Sequence, residues 1–169
     1  MSKNDEYFER MEAYCYSSLT FFNEDQKIFA TTDQMKKFSC VDASGETEGG
    51  CRALMELKRR PTIEGFDDAF IESKKIAYLM LSEQCFGFVP LYIYFTDFEG
   101  EDGIAKKVYI WRLDKLTTYN YYPRRYTYSK GYEETESVEK FGLSFADATV
   151  YVLTPNGYKL LTTNGIRGC

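Results

Sequence analysis

The stretch from Lys37 to Lys58 constrains this chain more than any other part of it. Lys37-Phe38-Ser39-Cys40-Val41-Asp42 and Arg52-Ala53-Leu54-Met55-Glu56-Leu57-Lys58 are two strand-like runs, and SGETEGG between them is a dense cluster of turn formers. Residues 36–60 therefore read as a β-hairpin. Period two sorts its second strand, with Ala53, Met55 and Leu57 on one face and Leu54, Glu56 and Lys58 on the other. With the turn centred near Gly49, Asp42 and Glu56 each stand seven residues from it and face each other directly. Cβ atoms of opposed residues are about 4.5–5.5 Å apart. Two carboxylates so placed repel unless something neutralises them. A hard divalent cation does so, taking oxygen ligands from one or two carboxylates, from water and from a phosphate. Lys58 points to the same side, where its ammonium can orient or help deprotonate a water, or stabilise charge developing on phosphorus.

The rest of the chain supplies a frame for that hairpin. At 169 residues and 44% hydrophobic content, the chain has the means to bury an ordinary core, and residues 1–169 read as a single domain. A first helix is expected from about Asn4, an N-cap, to Ser18, with Phe8, Met11, Cys15 and Leu19 as its buried stripe. Glu12 falls in the middle of that stripe, where a carboxylate must find a partner or a metal, or shift its pKa upward. A second helix is expected from Phe66 to about Gln84. Phe66, Ala69, Phe70, Ser73, Ala77, Met80 and Leu81 would share its buried face, and Asp67, Asp68 and Lys75 would project away. Val89–Phe95 and Lys107–Leu113 make a second hairpin around the acidic loop DFEGEDG. From Thr117 the sequence TTYNYYPRRYTYSKGY reads as a long functional loop or an edge. A last hairpin, Thr149–Leu153 and Tyr158–Leu161, turns at Pro155-Asn156-Gly157. The order helix, hairpin, helix, hairpin describes an α/β (α+β) fold built on a mixed central sheet, with a C-terminal extension over residues 117–169.

Composition removes several chemistries. The sequence contains no histidine, which excludes Ser-His-Asp and Cys-His nucleophile systems, His-ligated zinc and His general bases. The five cysteines, at 15, 40, 51, 85 and 169, include no CxxC pair, and an odd count argues against a disulfide framework. They are expected as small core residues in a reducing cytoplasm. The polar start MSKNDEYFER does not read as a signal peptide, and no apolar run approaches the roughly 20 residues that span a bilayer. GETEGG lacks the Lys-Ser/Thr pair of a phosphate-cradling P-loop.

The net charge of −5 is unevenly distributed. Residues 51–60 carry four basic groups and one acidic, and residues 103–130 carry seven and one, within an otherwise acidic chain. One basic face can exist on an acidic protein, so the global charge does not exclude nucleic acid. Lys58, Arg59 and Arg60 place cations beside the paired carboxylates. Lys106, Lys107, Arg112, Lys115, Arg124 and Arg125 interleave with Tyr119, Tyr121, Tyr122, Tyr126 and Tyr128. Such cations neutralise phosphates, and exposed aromatics stack on unpaired bases. For Tyr92, Tyr94 and Tyr109, packing on a sheet is the favoured reading.

An aspartate, thirteen residues and then ELK at the end of an apolar strand resembles the signature of the PD-(D/E)XK nuclease superfamily. That group includes restriction endonucleases, Holliday-junction resolvases and lambda-type exonucleases. The likeness covers roughly residues 4–97, and residues 1–116 would form the nuclease-like core. Asp42 is preceded by Val41 where the family motif has proline. Carried over, the resemblance implies a restriction-endonuclease-like fold and a Mg²⁺- or Mn²⁺-dependent hydrolase of phosphodiesters. It makes Asp42, Glu56 and the Leu57 carbonyl the metal ligands and Lys58 the catalytic lysine. Glu12 is the candidate for the glutamate that several branches place on the first helix. Lys74 is the candidate for a basic helper on the second. Arg59, Arg60, Arg124 and Arg125 would grip the backbone of nucleic acid, DNA rather than RNA. No membrane partner is implied, and a homodimer is the assembly that cutting both strands would call for.

Two other readings accompany this one. A nuclease fold without activity would serve as a nucleic-acid-binding or protein-interaction module, such as a phage or mobile-element accessory protein. A small α+β domain in which Asp42, Glu56 and Lys58 do not meet would make the ELK match accidental. In that case Asp42 is a turn initiator, and Glu56 and Lys58 lie on a solvated sheet face.

Overall fold

The computed structural model describes residues 33–34, 42–46, 50–60, 63, 65–98, 105–128 and 135–162. The helix expected over Asn4–Ser18, with Glu12 on it, and the Lys37–Val41 part of the first expected strand lie outside the described residues. In chain order the elements are β1 (Asp33–Gln34), β2 (Ala43–Glu46), β3 (Arg52–Arg59), β4 (Asp68–Glu72), helix α1 (Ser73–Phe86), β5 (Val89–Phe98) and β6 (Ala105–Arg112). They continue as β7 (Asn120–Tyr128), β8 (Thr135–Ser144), β9 (Thr149–Thr154) and β10 (Gly157–Thr162).

Seven strands form one sheet in the order β1-β2-β3-β5-β6-β9-β10. β3 and β5 run parallel, joined through α1, and every other neighbouring pair is antiparallel. The sheet is thus mixed and strand-rich, in an α+β arrangement with one helix among the described residues. A second sheet, β4-β8-β7, is antiparallel throughout.

The centre of the larger sheet, β3, β5 and β6, is buried on both faces. Ala53, Met55, Leu91, Ile93, Phe95, Val108 and Ile110 pack on one side with Tyr151 and Tyr158. Leu54, Tyr92, Tyr94, Tyr109 and Trp111 line the other, against Leu79 of α1 and Ala69, Ile71 and Leu143 of the smaller sheet. Near-continuous apolar runs such as Val89–Phe95 are what a strand covered on both faces requires. Two buried donors fasten the sheets together. Tyr92 Oη donates to the Phe70 carbonyl at 2.8 Å, and Trp111 Nε1 donates to the Ser144 carbonyl at 2.8 Å. Packing, the reading favoured for Tyr92, Tyr94 and Tyr109, is what the structure shows.

Two expected elements take a different form. Ser44-Gly45-Glu46, expected in the first turn, are paired strand residues of β2, so the turn about Gly49 is shorter than SGETEGG. The helix begins at Ser73 instead of Phe66, because Asp68–Glu72 is a strand paired with β8. Spacings of three and four from Phe66 onward imitate a helical stripe, while Ala69 and Ile71 alternate into the core as strand residues do. The helical phase shifts accordingly. Leu79 and Ser82 are buried, whereas Ala77 and Leu81 are exposed. The segment after Thr117, read as a loop or an edge, is an edge: β7 is the outer strand of the smaller sheet, and its partner β8 begins seven residues past its end. Asp68 anchors this small sheet by accepting from Asn120 Nδ2 at 2.9 Å and Tyr122 Oη at 3.2 Å. The close packing leaves no room at Gly142, where a Cβ would lie 2.6 Å from Asp68 Oδ2.

The hairpins β5–β6 and β9–β10 agree with expectation. In the latter, Gly157 takes φ 93°, a left-handed value that glycine adopts without strain. Cys51 is a small core residue as expected but is disulfide-bonded, and Cys85 on α1 is a free, exposed thiol and not a core residue. Among the described residues no helix is long and apolar enough to cross a membrane.

Candidate active site

The register of β2 and β3 pairs Ala43 with Met55 and Ser44 with Leu54. Carried one residue further, it sets Asp42 across from Glu56. Asp42 is held there by its own backbone and side chain. Its amide donates to the Met55 carbonyl at 3.0 Å, and its Oδ2 accepts from the Leu57 amide at 2.8 Å. The aspartate thus closes the end of the hairpin ladder, and its carboxylate stands beside that of Glu56. Parity along β3 puts Glu56 and Lys58 on the face lined by Tyr92, Tyr94 and Trp111.

Glu56 is buried and its two oxygens differ. Lys75 Nζ donates to Oε1 as an ion pair. Oε2 is buried and takes no donor from a lysine, amide or hydroxyl among the described residues, while the Asp42 carboxylate stands within hydrogen-bonding reach of the Glu56 carboxyl. Burial, and then the Asp42 carboxylate, push the Glu56 carboxyl up from 4.5 to about 8, with Lys75 opposing them. Lys58 shifts the other way. Burial, and then the charge of Arg60, bring its ammonium down from 10.5 to about 8, with Glu56 opposing and Lys75 and Lys140 adding to the fall. Burial also pulls Lys75 down, but the carboxylate of Glu56, with Asp42 and Glu72 behind it, holds that ammonium above its usual value. Strongly perturbed titratable groups of both signs on one face are characteristic of functional sites.

The structure brings together some of the residues expected from sequence and separates others. Asp42, Glu56 and Lys58 meet on one face, with the Leu57 amide bonded to Asp42. Arg60, exposed just past β3, lies near enough for its charge to act on Lys58. Arg59 belongs to the opposite face, with its guanidinium 3.8 Å from the centre of the Phe98 ring. Lys74 points away from the site. Its side chain is 81% exposed and pairs with Glu72 at 3.7 Å. Lys75 is instead the α1 lysine at the site, on the same helical face as Leu79 and Ser82. Arg112, read as one of the basic stretch, is buried and bonds Asp114 through Nε at 2.8 Å and Nη2 at 3.0 Å. Arg124 and Arg125 lie on β7, and Glu12 lies outside the described residues. Lys140 on β8, which sequence reasoning did not single out, sits across from Glu72 and near Lys58.

The donor set suits a hard cation. Two carboxylates converge, and the buried Glu56 carboxyl lies against that of Asp42 with one oxygen left over from its bond to Lys75, a pairing that a hard divalent cation neutralises. Among the described residues no group of three or more His, Cys, Asp or Glu side chains gathers, so further ligands would come from backbone, water or substrate.

No family model matches this sequence, and no curated protein matches it. Among solved structures, Hjc, a Holliday junction resolvase from Archaeoglobus fulgidus, superposes with a TM-score of 0.40 at 17% identity, over 76% of this chain and 96% of that one.

Proposed function

We propose that the chain is a metal-dependent nuclease of the PD-(D/E)XK type that hydrolyses phosphodiester bonds of nucleic acid, DNA in preference to RNA. One observation carries the reading: Asp42, Glu56 and Lys58 converge on one sheet face, with the buried Glu56 carboxyl set against the Asp42 carboxylate. Asp42 and Glu56 would hold Mg²⁺ or Mn²⁺, with the Leu57 carbonyl as a further ligand. Such a cation supplies Lewis-acid polarisation of phosphate and lowers the pKa of water. Lys58, with its ammonium brought down to about 8, is poised near neutral pH to exchange a proton with the attacking water or to face the developing negative charge. Arg60 lies beside it to take a backbone phosphate, Lys140 adds a second cation on that side, and Arg124 and Arg125 extend the grip. Glu12 is the proposed additional carboxylate.

A second reading has an observation of its own. Two lysines already stand against the two carboxylates, as a binding module that never takes metal would require. Cleavage of single-stranded, double-stranded and branched DNA with Mg²⁺ or Mn²⁺, beside EDTA controls and a melting series in the same metals, separates the two. A nuclease cuts only with metal and melts higher in its presence, since a ligand bound to the native state alone raises stability. No cleavage of any substrate, with melting indifferent to metal, would establish the silent module instead.

A further inference from the structure

Lys58 and Lys75 both stand at the paired carboxylates, but they are held differently. Lys58 rises from β3 itself. Lys75 reaches in from α1, and its Nζ is bonded to Glu56 Oε1. The Lys75 side chain is 30% exposed against 7% for Glu56, so the lysine has solvent to swing into and the glutamate does not. A divalent cation drawn to Asp42 and Glu56 must therefore contend with an ammonium already seated on one of its ligands. The lysine serves the metal-free protein well, because a buried carboxylate pair without a counter-charge is costly. That same contact opposes metal by charge and by occupancy.

We propose, building on the metal-dependent reading above, that Lys75 is a tethered counter-cation that holds the Glu56 position, and that metal loads as Lys75 swings out to solvent. The lysine then sets the metal affinity of the site, keeping the free protein largely unloaded. A divalent ion feels the charge of Lys75 twice as strongly as a competing proton on Glu56 does. Removing that charge therefore favours metal whether it displaces the lysine alone or a proton as well.

The test is isothermal titration of Mg²⁺, and separately Ca²⁺, into the full chain at pH 8.5, for wild type, Lys75→Met, Lys75→Gln and Lys75→Arg. Far-UV circular dichroism and urea midpoints verify the fold of each variant. Lys75→Met and Lys75→Gln are expected to bind about tenfold or more tightly than wild type, and Lys75→Arg to stay within about threefold of it. The two neutral variants differ in polarity, so folding of either one suffices. Equal or weaker binding by a folded neutral variant, with wild type still binding metal, would overturn the role of Lys75 and leave the metal site standing. Absence of binding in wild type and all variants would overturn the metal-dependent reading, and this inference with it.

Discussion

The two faces of β3 are equally hidden from water and chemically opposite. Ala53 and Met55 enter a core of aliphatic and aromatic side chains. One residue along the same strand, Glu56 is just as deeply placed but carries a carboxyl beside Asp42 and Lys75, with Lys58 next to it. Burying charge is unfavourable unless it is paired and fully hydrogen-bonded, and apolar replacements of similar volume are often neutral or stabilising. The first face therefore stabilises the fold throughout, whereas on the second the buried charges of Glu56 and Lys58 work against the apolar packing around them.

Four substitutions probe that contrast. Met55→Ala, at a site with no exposed surface, should lose about 2–5 kcal/mol in urea denaturation, through lost transfer energy and the cavity left behind. A loss under about 1 kcal/mol would mean that this face is not the rigid core described. Glu56→Gln should gain stability, and the gain should follow pH. A folded-state value raised from 4.5 to about 8 means that native protein holds a proton that unfolded chain releases, so wild-type stability falls as pH rises through that window. The advantage of Glu56→Gln is then least below pH 4.5 and complete above about pH 8. Urea midpoints at successive pH values check it, and a pH-independent difference would contradict the burial of charge.

Lys58→Met should show the mirror image. With a folded-state value lowered from 10.5 to about 8, the cost of the buried ammonium is fully present below pH 8 and is relieved as pH rises toward 10.5. Its advantage should therefore shrink over that range, opposite to Glu56→Gln. The smallest effect is expected at the neighbour of Lys75. Lys74→Ala removes an 81% exposed side chain and a loose surface ion pair, and should change stability by no more than about 0.5 kcal/mol and leave any cleavage intact. A large loss of cleavage there would redraw the site.

The parts of this arrangement that could be read from sequence are those that depend on neighbours along the chain. A turn near Gly49 and a period of two fix both the opposition of Asp42 and Glu56 and the face shared by Glu56 and Lys58. The same parity places Arg59 with Ala53 and Met55 on the far side, although its place next to Lys58 in sequence suggested proximity. What could not be read depends on distant partners. Asp68–Glu72 is a strand because β8, some seventy residues later, pairs with it, and no local signal carries that pairing. Once those residues leave the helix its phase changes, and Lys75 turns inward while Lys74 turns out. Cys51 makes the same point, since an odd cysteine count says nothing about which thiols lie within bonding distance.

The most direct test of the central claim is cleavage of end-labelled DNA by wild type and by Lys58→Ala, each with Mg²⁺ or Mn²⁺ and with EDTA, after circular dichroism has shown both to be folded. Metal-dependent cutting by wild type that falls by about 10²–10⁴-fold in the variant is the predicted result, as for loss of a group that moves a proton in the transition state. Undiminished cutting by folded Lys58→Ala, or cutting by wild type that EDTA does not touch, would contradict the account.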